Sequence, residues 1–152
     1  MNARIVILPV TLILIAFCCC GPAWELVPAI VEKTPVKIID GYSLGKPAGS
    51  GLRLYGKSYP CKDDPSATCY PTIIEQSVVK IGWNDDFILV ERHPLDTYIF
   101  ATPDAANPSW FIVVLASKKV YRDLPYEEYT ELIKTLNVPH IEMQNAIDVY
   151  KQ

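Results

Sequence analysis

The sequence predicts an α+β domain: an antiparallel β-meander of about six or seven short strands with a C-terminal helix packed on it. Three observations carry that prediction. From Thr72 to Leu136, apolar segments and turn signals alternate without a break. Within that run, Trp110-Phe111-Ile112-Val113-Val114-Leu115 is apolar throughout and rich in β-branched and aromatic residues, as in a strand covered on both faces. Directly downstream, Tyr129, Leu132, Ile133 and Leu136 recur at helical spacing, forming an apolar stripe able to cover a sheet.

The 152 residues have room for one domain, and 50% of them are apolar. Part of that hydrophobicity lies outside the core. Arg4 precedes an apolar segment from Ile5 to Phe17, broken only at Pro9 and Thr11 and followed by cysteines and small residues. This is the layout of a secretory signal peptide, placed at residues 1–20. The apolar segment is shorter than the roughly 20 residues needed to span a bilayer, so a cleaved signal is expected ahead of an uncleaved anchor.

Cys18, Cys19 and Cys20 follow the apolar segment at the position of the acylation site of bacterial lipoproteins, which they resemble. The motif wants a small residue before the modified cysteine, and Phe17 before Cys18 departs from it. Gly21 suits Cys20, so the order of preference is Cys20, then Cys18, then Cys19. Acylation would hold the domain at a membrane surface on the extracytoplasmic side of a bacterial envelope. The alternative is cleavage nearby, after Ala23, giving a free secreted protein.

Residues 21–40 contain Pro22, Pro28 and Pro35, which prevent a long helix and suit a tether. Trp24, Leu26, Val27, Ile30 and Val31 are apolar for such a role, so part of the tether is expected to pack on the single globular domain of residues 41–152. Val36 to Ile39 reads as a first edge strand. Tyr42 to Leu44 and Leu52 to Tyr55 read as a loose hairpin across the loop from Gly45 to Gly51, which has no phosphate-binding pattern.

Cys61 and Cys69 bracket a polar, turn-rich insertion between Pro60 and Pro71. In an exported chain the pair reads as a structural disulfide; no third or fourth ligand lies near for a metal, and redox-active dithiols sit closer together at a helix start.

In the central run, Val79, Ile81 and Trp83 alternate with Val78 and Lys80, the period of a half-buried strand. Asn84-Asp85-Asp86 turns the chain into Phe87 to Arg92, a hairpin and therefore antiparallel. Pro94-Leu95-Asp96 leads to a strand over Thr97 to Thr102, and a loop from Pro103 to Pro108 leads to the apolar strand. After Ser117-Lys118-Lys119 comes a short strand at Val120-Tyr121, then the helix of about Pro125 to Leu136, with Pro125 in its first turn and Glu127 and Glu128 at the positive end of its dipole. Asn137 and Pro139 stop it. Met143, Ile147 and Tyr150 have the spacing of a second short helix docking on the sheet.

Gly41-Tyr42, the stretch from Val79 to Ile88, Trp110 to Val113, Lys119 to Tyr121 and Leu124 to Tyr129 together resemble a family of small uncharacterised bacterial lipoproteins that join a few strands to a helix opening after a proline. The family often has Gly where this chain has Leu124, and the insertion between Cys61 and Cys69 is unlike its pattern. The family has no assigned activity, so the resemblance carries over no functional residue.

No catalytic, cofactor-binding or metal-binding residue is assigned, and no cofactor is expected. His93, before Pro94 at a strand end, and His140, after Pro139, are expected in solvent. Asp63-Asp64 and Asp85-Asp86 read as turn formers, because neighbouring strand residues point to opposite sides. Ser77, Ser109 and Ser117 lack a nucleophile-elbow setting. With 14 basic residues scattered against 17 acidic ones, no basic stripe exists for nucleic acid. The expectation is an exported, membrane-anchored, non-catalytic module that binds another envelope protein through a sheet edge or through aromatics such as Tyr42, Tyr55, Tyr59, Tyr70, Tyr98 and Trp110. The alternative is a binder of a small apolar ligand such as a lipid, which a concave apolar pocket would favour. An enzyme of unknown type is third.

Overall fold

A computed structural model describes residues 34–39, 41–48, 50–75, 77–94 and 104–152. The expected signal, the cysteines Cys18 to Cys20, most of the expected tether and the strand expected over Thr97 to Thr102 lie outside the described residues.

The first strands are β1 (Val36–Ile39), β2 (Tyr42–Gly45) and β3 (Arg53–Tyr55), followed by a two-stranded ribbon of β4 (Tyr59–Pro60) and β5 (Thr68–Cys69) and by β6 (Thr72–Ile74). The central run supplies β7 (Val78–Trp83), β8 (Phe87–Arg92), β9 (Ser109–Val114) and β10 (Lys119–Leu124). Helix α1 (Tyr126–Thr135), the short β11 (Gln144–Asn145) and α2 (Ala146–Lys151) complete the chain. All the pairings are antiparallel, in the orders β1-β2-β3-β6 and β10-β9-β8-β7-β11.

The α+β architecture and the C-terminal helix are as the sequence predicts. Apart from the β4–β5 ribbon, the strands are divided between two stacked sheets, with α1 on the outer face of the larger one. The apolar β9 is the reason for three layers. Phe111 and Val113 face the smaller sheet, in one core with Leu44, Leu54, Ile74, Ile81 and Ile88. Ile112 and Trp110 point the other way, against Tyr129, Leu132, Ile133 and Leu136 of α1 and its C-terminal end. An all-apolar strand is stable only between two covers, and the helix stripe is the second cover.

Two bulges decide which side chains reach which layer. Between Val78 and Lys80 the register with β8 shifts, so Val78 joins Ile81 in the sandwich core. This corrects the simple alternation of Val79, Ile81 and Trp83, because one extra residue inverts the facing of everything before it. A second irregularity between Tyr121 and Leu124, with Asp123 at φ 50°, turns Leu124 toward α1 and leaves Arg122 donating a hydrogen bond to the Ile73 carbonyl of the other sheet.

Past α1 the chain wraps around the free side of β7. Val138, Ile141 and Met143 lie on the helix face, β11 pairs with β7, and α2 enters the sandwich. Its buried side chains are Ala146, Val149 and Tyr150, while Ile147 is exposed and Met143 precedes the helix. The expected stripe of Met143, Ile147 and Tyr150 is therefore rotated: α2 begins only after β11 has paired, and that pairing sets the face it presents.

Candidate functional site

At the end of the sandwich where the β1–β2, β7–β8 and β9–β10 connections meet, the two sheets part and leave a groove of about 630 Å³. Its apolar wall comes from both sheets: Ile39, Tyr42 and Ile73 on one side, Leu115 and Val120 on the other. All five pack on the core yet remain only partly buried. A shallower groove of about 340 Å³ shares Gly41, Tyr42, Gly56 and Lys57 with it and extends to Pro35 and Lys37. Gly41 sits at φ +75°, a turn conformation that costs glycine nothing. Gly56 keeps the floor open: its N–H donates to the Pro71 carbonyl at 2.8 Å, and a Cβ there would stand 3.0 Å from Ile73 Cδ1.

A second cluster lies on the helix face. Glu91 is buried, with its Oε1 accepting a hydrogen bond from His93 Nε2 at 2.7 Å. Its Oε2 lies 3.0 Å from Lys80 Nζ, close enough for charge attraction though not aligned as a hydrogen bond. Across the strand pair Glu91 faces Trp110, whose ring packs 4.7 Å from that of Tyr129 and 5.3 Å from that of Tyr126. Burial pushes the Tyr129 hydroxyl up to about 12, with Tyr126 and the Glu91 charge adding to the effect.

The sequence singled out His93 as a solvent-exposed turn residue. Its side chain is instead 14% exposed, because residues two apart on a strand share a face and Glu91 is already buried there. His140 is exposed. Cys61 and Cys69 are joined in a disulfide, with Cα atoms 5.0 Å apart, across the β4–β5 ribbon where Tyr59 pairs with Cys69. The carboxylate of Asp64 accepts from Ser66 Oγ at 2.6 Å and Ser66 N at 3.0 Å, which holds it below the usual carboxylate range and forms the turn. Asn84 Oδ1 accepts from the N–H groups of Asp86 and Phe87 and shapes the next turn, placing Asp85 at the groove.

Among the candidate aromatics, Tyr55 is buried against Tyr70, Tyr42 lines the groove, Tyr59 is exposed on the ribbon, and Tyr98 lies outside the described residues. Glu91 was not legible as a site residue. Its sequence signal is an acid directly after the apolar run Phe87 to Val90, with Lys80 in the strand before it.

Among the described residues, no group of three or more His, Cys, Asp or Glu could hold a metal ion, and no helix is long and apolar enough to cross a membrane. No curated protein and no solved structure matches the chain. A family model described as a protein of unknown function, DUF3997, matches residues 59–149, from β4 to within α2, and the chain therefore belongs to the DUF3997 family.

Proposed function

We propose that the protein is an exported, lipid-anchored bacterial envelope module without catalytic activity, and that it binds a small apolar ligand in the groove between its sheets. The groove carries this reading. A hydrophobic core normally closes over its own edges, whereas here five core-contacting side chains from two sheets line a concavity of the volume typical of ligand sites, roughly 300–1,000 Å³. The disulfide supports export, since such bonds persist in oxidising compartments. Acylation at Cys20, Cys18 or Cys19 would supply the anchor.

Mass spectrometry of the protein from its own host membranes tests the reading. A mature N-terminus at one of the three cysteines with added acyl mass, a gain of two hydrogens on reduction, and a non-covalent small-molecule adduct under native conditions are expected. An unacylated mass, or one retaining Met1, would sink the anchor; a native mass equal to the denatured one would count against a resident ligand.

A second reading, an envelope protein partner, is favoured by a separate observation. Tyr126 is 56% exposed beside Trp110, giving an aromatic patch of the kind that anchors protein interfaces. Cross-linking in membranes with and without Tyr126→Ala would distinguish it.

A further inference from the structure

Resting on the groove as a ligand site, we infer that its ligand is a single-chain anionic amphiphile, with its chain along the apolar wall and its acidic head at Lys57 and Lys118. The asymmetry of the sandwich places the chain. Between β2 and β7 the interior is filled by Ala146, Val149 and Tyr150 of α2. At the other end Ile39, Tyr42, Ile73, Leu115 and Val120 keep a share of their surface uncovered, and the Arg122 bond to the Ile73 carbonyl ties the sheets together beside them. Such a wall supplies burial for methylenes and offers them few polar partners.

Charge selects the head. Lys57 and Lys118 are exposed at the groove, and neither forms an ion pair with another described residue. They enter from opposite sheets, Lys57 just after β3 and Lys118 from the β9–β10 turn, where it holds φ 57°. Asp85 lines the same groove, so among the described residues that line it the two lysines leave an excess of one positive charge. An acidic head of carboxylate or phosphate chemistry suits that excess; a cationic head does not. At about 630 Å³ the concavity has room for one chain and a small head, which favours a single-chain amphiphile over a two-chain lipid.

The test is calorimetric titration of the purified mature protein with dodecanoate, dodecyl phosphate and dodecanol below their aggregation thresholds, with backbone amide shifts to map each. Binding of an anionic probe with shifts at Tyr42, Ile73 and Val120, weakened roughly tenfold in dodecanol and in Lys57→Glu or Lys118→Glu, is expected. The two anionic probes separate a carboxylate from a phosphate head. Dodecanol binding as tightly as the anions, with no effect of either charge reversal, would overturn the anionic head while leaving the groove as an apolar site. Shifts confined to Trp110 and Tyr126, or no binding by any probe, as when a segment of the same chain fills the groove, would overturn both.

Discussion

The carboxylate of Glu91 and the imidazole of His93 meet at 2.7 Å on the helix face of β8, with both side chains largely buried. A buried carboxylate is tolerated only with partners, and this one has two of unequal kind. His93 is held with it under the same cover, while the Lys80 side chain is 45% exposed.

That inequality predicts unequal mutational costs. Glu91→Ala removes the partner of a buried donor and is expected to destabilise by about 1–3 kcal/mol. Lys80→Ala removes a cation whose side chain is nearly half exposed and is expected to cost less than about 1 kcal/mol. Urea unfolding of the two single variants and the double variant measures both and their coupling. Equal costs would show that Lys80, not His93, is the partner that matters.

Gly82 faces the segment that wraps around β7. A Cβ there would stand 2.6 Å from the Glu142 carbonyl oxygen and 2.8 Å from Ile141 Cγ2. Gly82→Ala is therefore expected to cost about 1–3 kcal/mol by overpacking, because backbone cannot move aside as a flexible side chain can. Protection of the β11 amides from hydrogen exchange should fall with it, since β11 follows that segment directly. An unchanged unfolding midpoint would mean that the segment can shift freely.

Tyr129 should give the fold an alkaline limit. Its hydroxyl ionises ordinarily at 10.0 and in the folded chain at about 12, because burial disfavours the anion. The unfolded state loses its proton first, so this contribution to stability is complete below pH 10 and is lost as pH rises toward 12. Tyr129→Phe should make the fall in stability across that window smaller, the Tyr42 and Tyr55 hydroxyls, which burial also raises, supplying what remains, as followed by thermal unfolding at stepped pH.

Reduction of the Cys61–Cys69 bond tests how far the ribbon matters to the whole. The bond closes a short loop on β4 and β5, which form a sheet of their own. The loss should be at most about 2.5 kcal/mol on the chain-entropy model. Exchange protection should collapse in the ribbon at Cys61, whose N–H donates to Ala67, and remain in β8 and β9. Loss of protection throughout would show that the ribbon supports the core.

Local chemistry made much of the fold legible. Pro125 sits at the N-cap of α1, the Asn84 turn joins β7 to β8, and the pairing of Leu44 with Leu54 realises the hairpin expected around the glycine-rich loop. These depend on neighbours in the chain, whose preferences a sequence displays. The site was less legible. Glu91 reads as one more acid until its strand is placed under a helix, and Lys57 and Lys118, 61 residues apart, share a groove only once the sheets are stacked.

By itself the sequence determined the strand-rich α+β class, the two-sided burial of β9 and the stripe of α1, because periodicity and turn chemistry act over a few residues. Tertiary structure alone decided that the strands outside the β4–β5 ribbon divide between two sheets, that a bulge sends Val78 rather than Val79 into the core, and that the sheets part at Ile73 and Leu115 to leave a groove. The physical reason is one of range. Facing and pairing follow local geometry, while the space between two layers depends on how their twists and bulges sum over the whole chain.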